Sequence, residues 1–254
     1  MSMSFFGLGR RKRASAAVPE GSRVYAIGDI HGRVDLLRGL HEAVLRDAAA
    51  HDDRRRVVVY LGDYVDRGMQ TREVIDCLLD APLPGFEAIH LKGNHEACML
   101  DFLDDAIRGA GWLEIGGNAT LFSYGVKPDD SLALPARLAD ASARLARNLP
   151  DRHRAFFESL ALHHEEGDFL FVHAGLRPRV PLAEQREADL LWIRDDFLRS
   201  TVDHGKVVVH GHSVSWEPDM RKNRICVDTG AFASGVLTAL VLHGTDRRFL
   251  QTGR

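Results

Sequence analysis

Chemistry first suggests itself where short aliphatic runs break into glycine and a polar residue. VVVYLGD (Val57–Asp63) continues as YVDRG, so Asp63, Asp66 and Arg67 fall between Gly62 and Gly68. The same break recurs at VYAIGDIHG, which delivers Asp29 and His31, and at EAIHLKGNHE, which delivers Asn94 and His95. It recurs again at DFLFVHAG with His173, at KVVVHGH with His212 and at ICVDTGA with Asp228. These are carboxylate, amide and imidazole donors without a thiolate, a set suited to Mn, Fe or Zn. Gathered carboxylates repel one another, and divalent cations bring the local positive charge that holds them together. Taken singly each residue is ordinary: an Asp after a strand is more often a turn former or a cap. The weight lies in their joint occurrence at successive runs.

The runs are too short for helices and right for buried strands. Glycine after each permits a tight turn and close approach of backbone to a ligand. After Gly32, Leu37, Leu40, Val44 and Ala48 recur at helical steps; after Gly68, Val74, Ile75, Leu78 and Leu79 form a stripe behind Thr71, a candidate N-cap. Strand–helix–strand alternation predicts α/β architecture with parallel pairing in the first half. In open α/β sheets, ligands sit at the carboxyl ends of strands, where these donors stand. The later strands Lys206–Val209, Ile225–Val227 and Val236–Leu242 predict a second, partly antiparallel sheet packed on the first. Trp112, Gly116 and Gly117 precede helical stretches Pro135–Asn148 and Asp151–Leu160, so residues from about 109 to 160 read as a helical cap insertion.

The chain has 254 residues, 45% hydrophobic and 27% charged, which fits one large domain over residues 23–254. A net charge of -3 gives no general sign of nucleic-acid binding. Cys77, Cys98 and Cys226 are odd in number and form no CxxC pair, as expected of a reduced, cytoplasmic protein. No apolar run approaches the roughly 20 residues of a membrane span. Residues 1–22 read as a disordered basic tail; a membrane-surface or partner contact through Arg10, Arg11, Lys12 and Arg13 is the alternative.

GDIHG (Gly28–Gly32), GDYVDRG (Gly62–Gly68) and GNHE (Gly93–Glu96) together resemble the signature triplet of the phosphoprotein phosphatase family, a branch of the calcineurin-like metallophosphoesterases. FVHAGL (Phe171–Leu176) and HGH (His210–His212) match its remaining histidines. GNHEACM, Trp112–Gly117, LLWIRDDF (Leu190–Phe197) and VDTGAF (Val227–Phe232) are similar to the phage-lambda type of bacterial serine/threonine phosphatase. The resemblance covers roughly Val24 to Leu242. It implies a sandwich of two mixed β-sheets flanked by helices, and two divalent metal ions, Mn2+ first with Fe or Zn as alternatives.

The resemblance also implies roles. Asp29, His31 and Asp63 hold the first metal; Asp63 bridges to a second, completed by Asn94, His173 and His212. The ions lie about 3.5–4 Å apart, and a hydroxide between them attacks phosphorus in line. His95 is the general acid for the leaving alkoxide, and Asp66 orients it. Arg67 and Arg194 clamp the phosphate, a guanidinium matching its oxygens in pairs; pairing with Asp195 or Asp196 is the plainer reading of Arg194. No CxxxxxR loop follows a cysteine and no Walker loop exists, consistent with direct hydrolysis. SVSWEP after His212 and Ile115 depart from the family pattern, which affects the substrate rim and not the ligands.

The other histidines have structural readings. His41 and His51 lie on or after a polar helix, His153 on the surface, His163 and His164 toward solvent, His90 in the core and His210 behind His212. The expected substrate is a phosphorylated protein or a small phosphoester. Hydrolysis of dinucleoside tetraphosphates or another nucleotide is the competing activity, and a catalytically silent phosphoprotein-binding module the third reading.

Overall fold

A computed structural model of the chain describes residues 15–253. The strands among them are β1 (Ser22–Ile27), β2 (Arg55–Tyr60), β3 (Glu87–His90), β4 (His163–Glu166), β5 (Phe169–Val172), β6 (Val207–His210), β7 (Asp219–Met220), β8 (Arg224–Cys226), β9 (Thr238–His243) and β10 (Asp246–Gln251). One sheet runs β10-β9-β1-β2-β3 and the other β4-β5-β6-β8-β7. In the first, β1, β2 and β3 are parallel and β9 and β10 antiparallel. In the second, β5, β6 and β8 are parallel, flanked by antiparallel β4 and β7. The predicted α/β sandwich of two mixed sheets is the observed one, with one reassignment. The strand expected near Val236–Leu242 joins the first sheet, pairing Tyr25 with Val241. It is apolar on both faces, and a place beside β1 buries both.

Alternation along each strand builds the layers. Val24, Ala26, Val57, Val59, Leu240 and Leu242 pack between the sheets on Phe169, Phe171, Val207, Val209 and Ile225. Tyr25, Ile27, Val58 and Tyr60 point the other way, into a helical layer. That two-sided burial is why β2 reads as an unbroken apolar run. The helical layer holds α1 (Val34–Ala49), α2 (Thr71–Asp80), α3 (Asn94–Asp104), α4 (Asn118–Ser123), α5 (Leu134–Asn148) and α6 (Asp151–Glu158). The outer face of the second sheet packs Leu170, Val172 and Val208 on Leu190, Ile193 and Phe197 from α7 (Glu187–Trp192) and α8 (Asp195–Leu198). A last short helix, α9 (Ala231–Ser234), precedes β9.

Three expectations change, those for the tail, Thr71 and His153. The tail does not extend to residue 22: Ala17 N–H donates to Asp168 Oδ2 at 3.0 Å, Val18 N–H donates to the Gly244 carbonyl at 3.0 Å, and Val18 is buried. The basic residues Arg10–Arg13 lie outside the described residues. The 109–160 insertion lies between β3 and β4, and Trp112, Leu121, Leu138, Leu145 and Phe157 enter the core shared with β1 and α1. Thr71 is the first residue of α2 rather than its cap, and its hydroxyl lies 3.0 Å from that of Thr120. His153 is fully buried, paired with Tyr124 Oη at 2.9 Å and Asp76 at 3.0 Å.

His41 is likewise buried, its Nε2 2.8 Å from Tyr60 Oη, while His90 stacks on the Tyr60 ring at 4.9 Å. Burial pushes His41 down from 6.5 to about 4 and His90 likewise, the latter with His41 also opposing its charge. The unfolded chain therefore takes up protons across that interval and the folded chain does not. Stability from these neutral rings is complete above about pH 6.5 and is lost as pH falls toward 4, by roughly 3 kcal/mol for His41. Urea midpoints between pH 7 and 4.5 should fall accordingly, and His41→Gln should flatten that slope. An unchanged slope would assign the acid sensitivity to other groups.

Candidate metal centre

The carboxyl ends of the parallel strands in both sheets converge. Asp29 and His31 follow β1, Asp63 follows β2, Asn94 opens α3 after β3, His173 follows β5, His212 follows β6 and Asp228 follows β8. Six non-glycine residues among the described ones have φ between 46° and 71°, and five are His31, Asp63, Asp66, Arg67 and His212. Left-handed backbone is costly for such residues and persists where surrounding structure fixes it. Here the fixing bonds are visible. Ile30 and His31 N–H both donate to the Asp63 carbonyl, at 3.0 and 2.9 Å. The buried Glu96 carboxylate accepts from the N–H groups of Gly93, Asp63, Tyr64 and Val65 at 2.8–3.2 Å, tying the β2 turn to the start of α3. Gly93 leaves room for this junction, since a Cβ there would lie 2.1 Å from Asp63 Oδ1.

Asp63 stands at the centre. Its Oδ2 lies 3.5 Å from His31 Nε2 and 3.8 Å from His95 Nε2; its Oδ1 lies 3.4 Å from His173 Nε2. Donor atoms of His31, Asp63 and His95 fall within 4.8 Å of one another, as do those of Asp63, His173 and His212. Asp63 is thus common to two clusters. Asn94 Oδ1 is 2.9 Å from His173 Nε2 and 2.8 Å from His212 Nδ1. Asp29 belongs to neither cluster; its oxygens accept from His212 N–H at 3.0 and 3.2 Å.

The residues fit cations. His31 Nδ1 faces the Val65 carbonyl at 2.8 Å and His173 Nδ1 the Leu61 carbonyl at 2.8 Å. A ring proton is needed at each Nδ1, which leaves Nε2 as a lone pair aimed at Asp63. Burial lowers the pKa of both rings, to about 3 for His31, and lowers His212 to about 2 with His173 adding to the effect. Neutral rings are the ligand form. His31 Nε2 and His212 Nε2 are buried without a hydrogen-bond partner. Burial, with Asp228 and Asp63 nearby, pushes Asp29 well above the carboxylate range, and burial lifts Asp228 to about 6. Asp63 alone is held below that range, the surrounding histidines outweighing its burial. Lone pairs facing a shared carboxylate, with further buried acids beside them, are the donor chemistry of a cation site.

A family model described as calcineurin-like phosphoesterase matches residues 22–234. The chain belongs to the calcineurin-like phosphoesterase family. That family uses a binuclear divalent metal site. The asymmetrical bis(5'-nucleosyl)-tetraphosphatase PrpE of Bacillus thuringiensis (strain Al Hakam) is 24% identical over 237 residues, covering 84% of this chain and 88% of its own. A solved putative diadenosine tetraphosphatase superposes with a TM-score of 0.57 at 19% identity, covering 94% of this chain and 98% of its own. A serine/threonine phosphatase from Saccharomyces cerevisiae, described as similar to human phosphatase PP5, gives 0.53 at 15% identity, covering 91% and 79%. These structural likenesses are of fold.

In this calcineurin-like phosphoesterase, His95 Nδ1 lies 2.7 Å from Asp66 Oδ2. Burial opposes charge on His95, but Asp63 and Asp66 outweigh it and raise its pKa. Arg67 Nη2 is 3.1 Å from His95 Nε2, and its guanidinium lies 4.4 Å from the centre of the half-exposed Phe232 ring. Arg194 is exposed and enters no ion pair among the described residues; Asp195 pairs with Arg199 and Asp196 with Arg177. Its charge bears on His173 and His212. His210 is buried behind this array, its Nδ1 against the Gly211 carbonyl.

Trp112, Thr120, Glu96 and Phe232 had no assigned role in the sequence reading. Glu96 carried a local signal, an acid at the third position of a helix opening at Asn94. Trp112 and Thr120 reach Asp66 across 46 and 54 residues of chain, and no local pattern reveals that.

Binding of cations to the folded state alone should raise its stability. Mn2+ at 100 times its Kd contributes about 2.7 kcal/mol, a Tm rise of roughly 5–10 °C for a chain this size. Calorimetry of metal-stripped protein should show this rise, and Asp63→Asn should abolish it. An equal rise in both proteins would move the binding elsewhere.

Proposed function

We propose that the chain is a phosphomonoesterase acting on phosphoserine or phosphothreonine, with Asp29, His31, Asp63, Asn94, His173 and His212 as ligands of two divalent ions, Mn2+ first. The observation that carries the substrate class is the buried His95–Asp66 pair beside the shared carboxylate. The ions, when bound, neutralise phosphate charge and activate water for attack. The chain's own residues do the rest. Asp63, common to both clusters, holds the two ligand sets at one spacing. Asp66 accepts from His95 Nδ1–H and so turns Nε2 toward the cleft, where it gives a proton to the departing alkoxide. An alkoxide is a strong base, so a positioned acid contributes about 10²–10⁴-fold. Arg67 Nη2–H donates to the same Nε2 at 3.1 Å in the free protein, so a phosphate that draws the guanidinium onto its own oxygens frees Nε2 to carry a proton beside the ester oxygen. Arg194 supplies a second guanidinium. The Trp112–Gly117 element is what favours the phage-lambda-type subfamily.

Hydrolysis of dinucleoside polyphosphates is the second reading, favoured by the name of the Bacillus relative, which aligns over 84% of this chain. There the departing group is itself a phosphate, a weak base that depends less on a proton donor. A silent binding module has no use for the ordered His95–Asp66 pair.

Metal-stripped protein restored with Mn2+ should release phosphate faster from phosphoserine peptides than it cleaves diadenosine tetraphosphate; the reverse order selects the second reading. His95→Asn should cost about 100-fold or more on a phosphoserine peptide and far less on an activated aryl phosphate. Equal losses would remove His95 as the acid, and full activity after thorough chelation would end the metal mechanism.

A further inference from the structure

We infer that Trp112 and Thr120 are positioning residues for proton donation, fixing both oxygens of the Asp66 carboxylate that holds His95. The inference rests on the reading of His95 as the acid. Asp66 is fully buried, and no lysine or arginine pairs with it among the described residues. It is held by neutral donors instead. Trp112 Nε1–H donates to Oδ2 at 2.7 Å, the oxygen that also accepts from His95 Nδ1 at 2.7 Å. Thr120 Oγ1–H donates to Oδ1 at 2.7 Å, and the same hydroxyl accepts from Asp66 N–H at 2.9 Å. Both carboxylate oxygens and the backbone N–H are therefore engaged. Rotation about the Cβ–Cγ bond is blocked, and with it the rotation of the imidazole that depends on Oδ2.

The donors are themselves immobile. Trp112 is 1% exposed, its ring 5.1 Å from Phe102, and Gly117 packs so closely that a Cβ there would lie 2.5 Å from the indole. Thr120 sits in α4, its hydroxyl 3.0 Å from that of Thr71 at the start of α2. The turn between Trp112 and Thr120 also accepts Arg67 N–H on the Gly116 carbonyl at 3.3 Å. Hydrogen bonds to a buried carboxylate are strong because it is charged and desolvated. Losing one leaves Asp66 free to turn and costs orientation of His95, while the ligands on Asp63 keep their places.

The test separates orientation from mere folding. Thr120→Val removes the hydroxyl at near-constant shape, Thr120→Ser keeps it, and Trp112→Phe removes the N–H while keeping an aromatic ring. Thr120→Val and Trp112→Phe should each lower kcat on a phosphoserine peptide about tenfold or more, with KM little changed and a smaller loss on 4-nitrophenyl phosphate. Thr120→Ser should restore kcat. In a His95→Asn background, Thr120→Val should cost less than about twofold, because the two residues act through one proton transfer. If His95→Asn shows leaving-group dependence but Thr120→Val loses equally on both substrates, or loses its full factor in the His95→Asn background, this inference alone is overturned. If His95→Asn shows no such dependence, the acid reading fails and the inference falls with it. Should Trp112→Phe not fold, the two Thr120 variants decide.

Discussion

A carboxylate at 2% exposure, ringed by four imidazoles and adjoined by two further acids, is the constraint on which this molecule turns. Burying one unpaired charge costs several kcal/mol, and burying like charges together costs more. Asp63 accepts one backbone N–H, that of His95 at 3.2 Å, while the Nε2 lone pairs of His31 and His173 face its oxygens, a repulsion that cations held between them would turn into attraction. Much else follows. Backbone must leave the ordinary φ range at Asp63 and at His31, Asp66, Arg67 and His212 to bring side chains inward. Such geometry persists only if over-determined, which the four N–H groups converging on Glu96 and the bonds onto the Asp63 carbonyl accomplish.

The sandwich is the scaffold that makes this convergence feasible. Parallel strands deliver all their carboxyl ends to one edge. Two sheets stacked through Val57, Val59, Phe169 and Phe171 set two such edges side by side. Each sheet contributes candidate donors the other lacks: β1 and β2 bring Asp29, His31 and Asp63, while β5 and β6 bring His173 and His212. The hydrogen bonds from His173 to the Leu61 carbonyl and from His212 N–H to Asp29 cross between the sheets, so the interior packing and the polar cluster fix one registration.

The legible part of this in sequence was the part that is local. A short aliphatic run ending beside a glycine and a polar donor is a pattern within ten residues, and it singled out Asp29, His31, Asp63, Asn94, His173 and His212, which the fold brings to one edge. Helical periodicity gave α1 and α2, and the helical stretches read at Pro135–Asn148 and Asp151–Leu160 correspond to α5 and the slightly shorter α6. The illegible part is non-local. Which sheet β9 joins depends on the partner of its two apolar faces, not on its own residues. His153 reads as polar surface on a charged helix, yet Tyr124 and Asp76 give both ring nitrogens partners and let it be buried. Val18 follows two alanines in a short N-terminal stretch with no strand or helix pattern, and the hydrogen bonds to Gly244 and Asp168 that hold it lie far along the chain. The support of Asp66 by Trp112 and Thr120 likewise comes from a segment whose chain distance hides the contact.

That support has a consequence for selectivity. Asp66 and Arg67 are consecutive, both left-handed, and both held by the segment from Trp112 to Thr120: Asp66 through two side chains, Arg67 through the Gly116 carbonyl. Gly116 itself has φ 124°, and a Cβ on it would lie 2.9 Å from Arg67 Cγ, so the segment fits against this turn without slack. On the roles proposed for them, the group that orients the proton donor and the group that grips phosphate are therefore held by one segment. On that reading a phosphoester held by Arg67 would meet His95 at one fixed offset, whatever group it carries. Discrimination at this centre then depends less on the shape of the leaving group than on its basicity, because only a basic oxygen gains from a proton delivered at that offset.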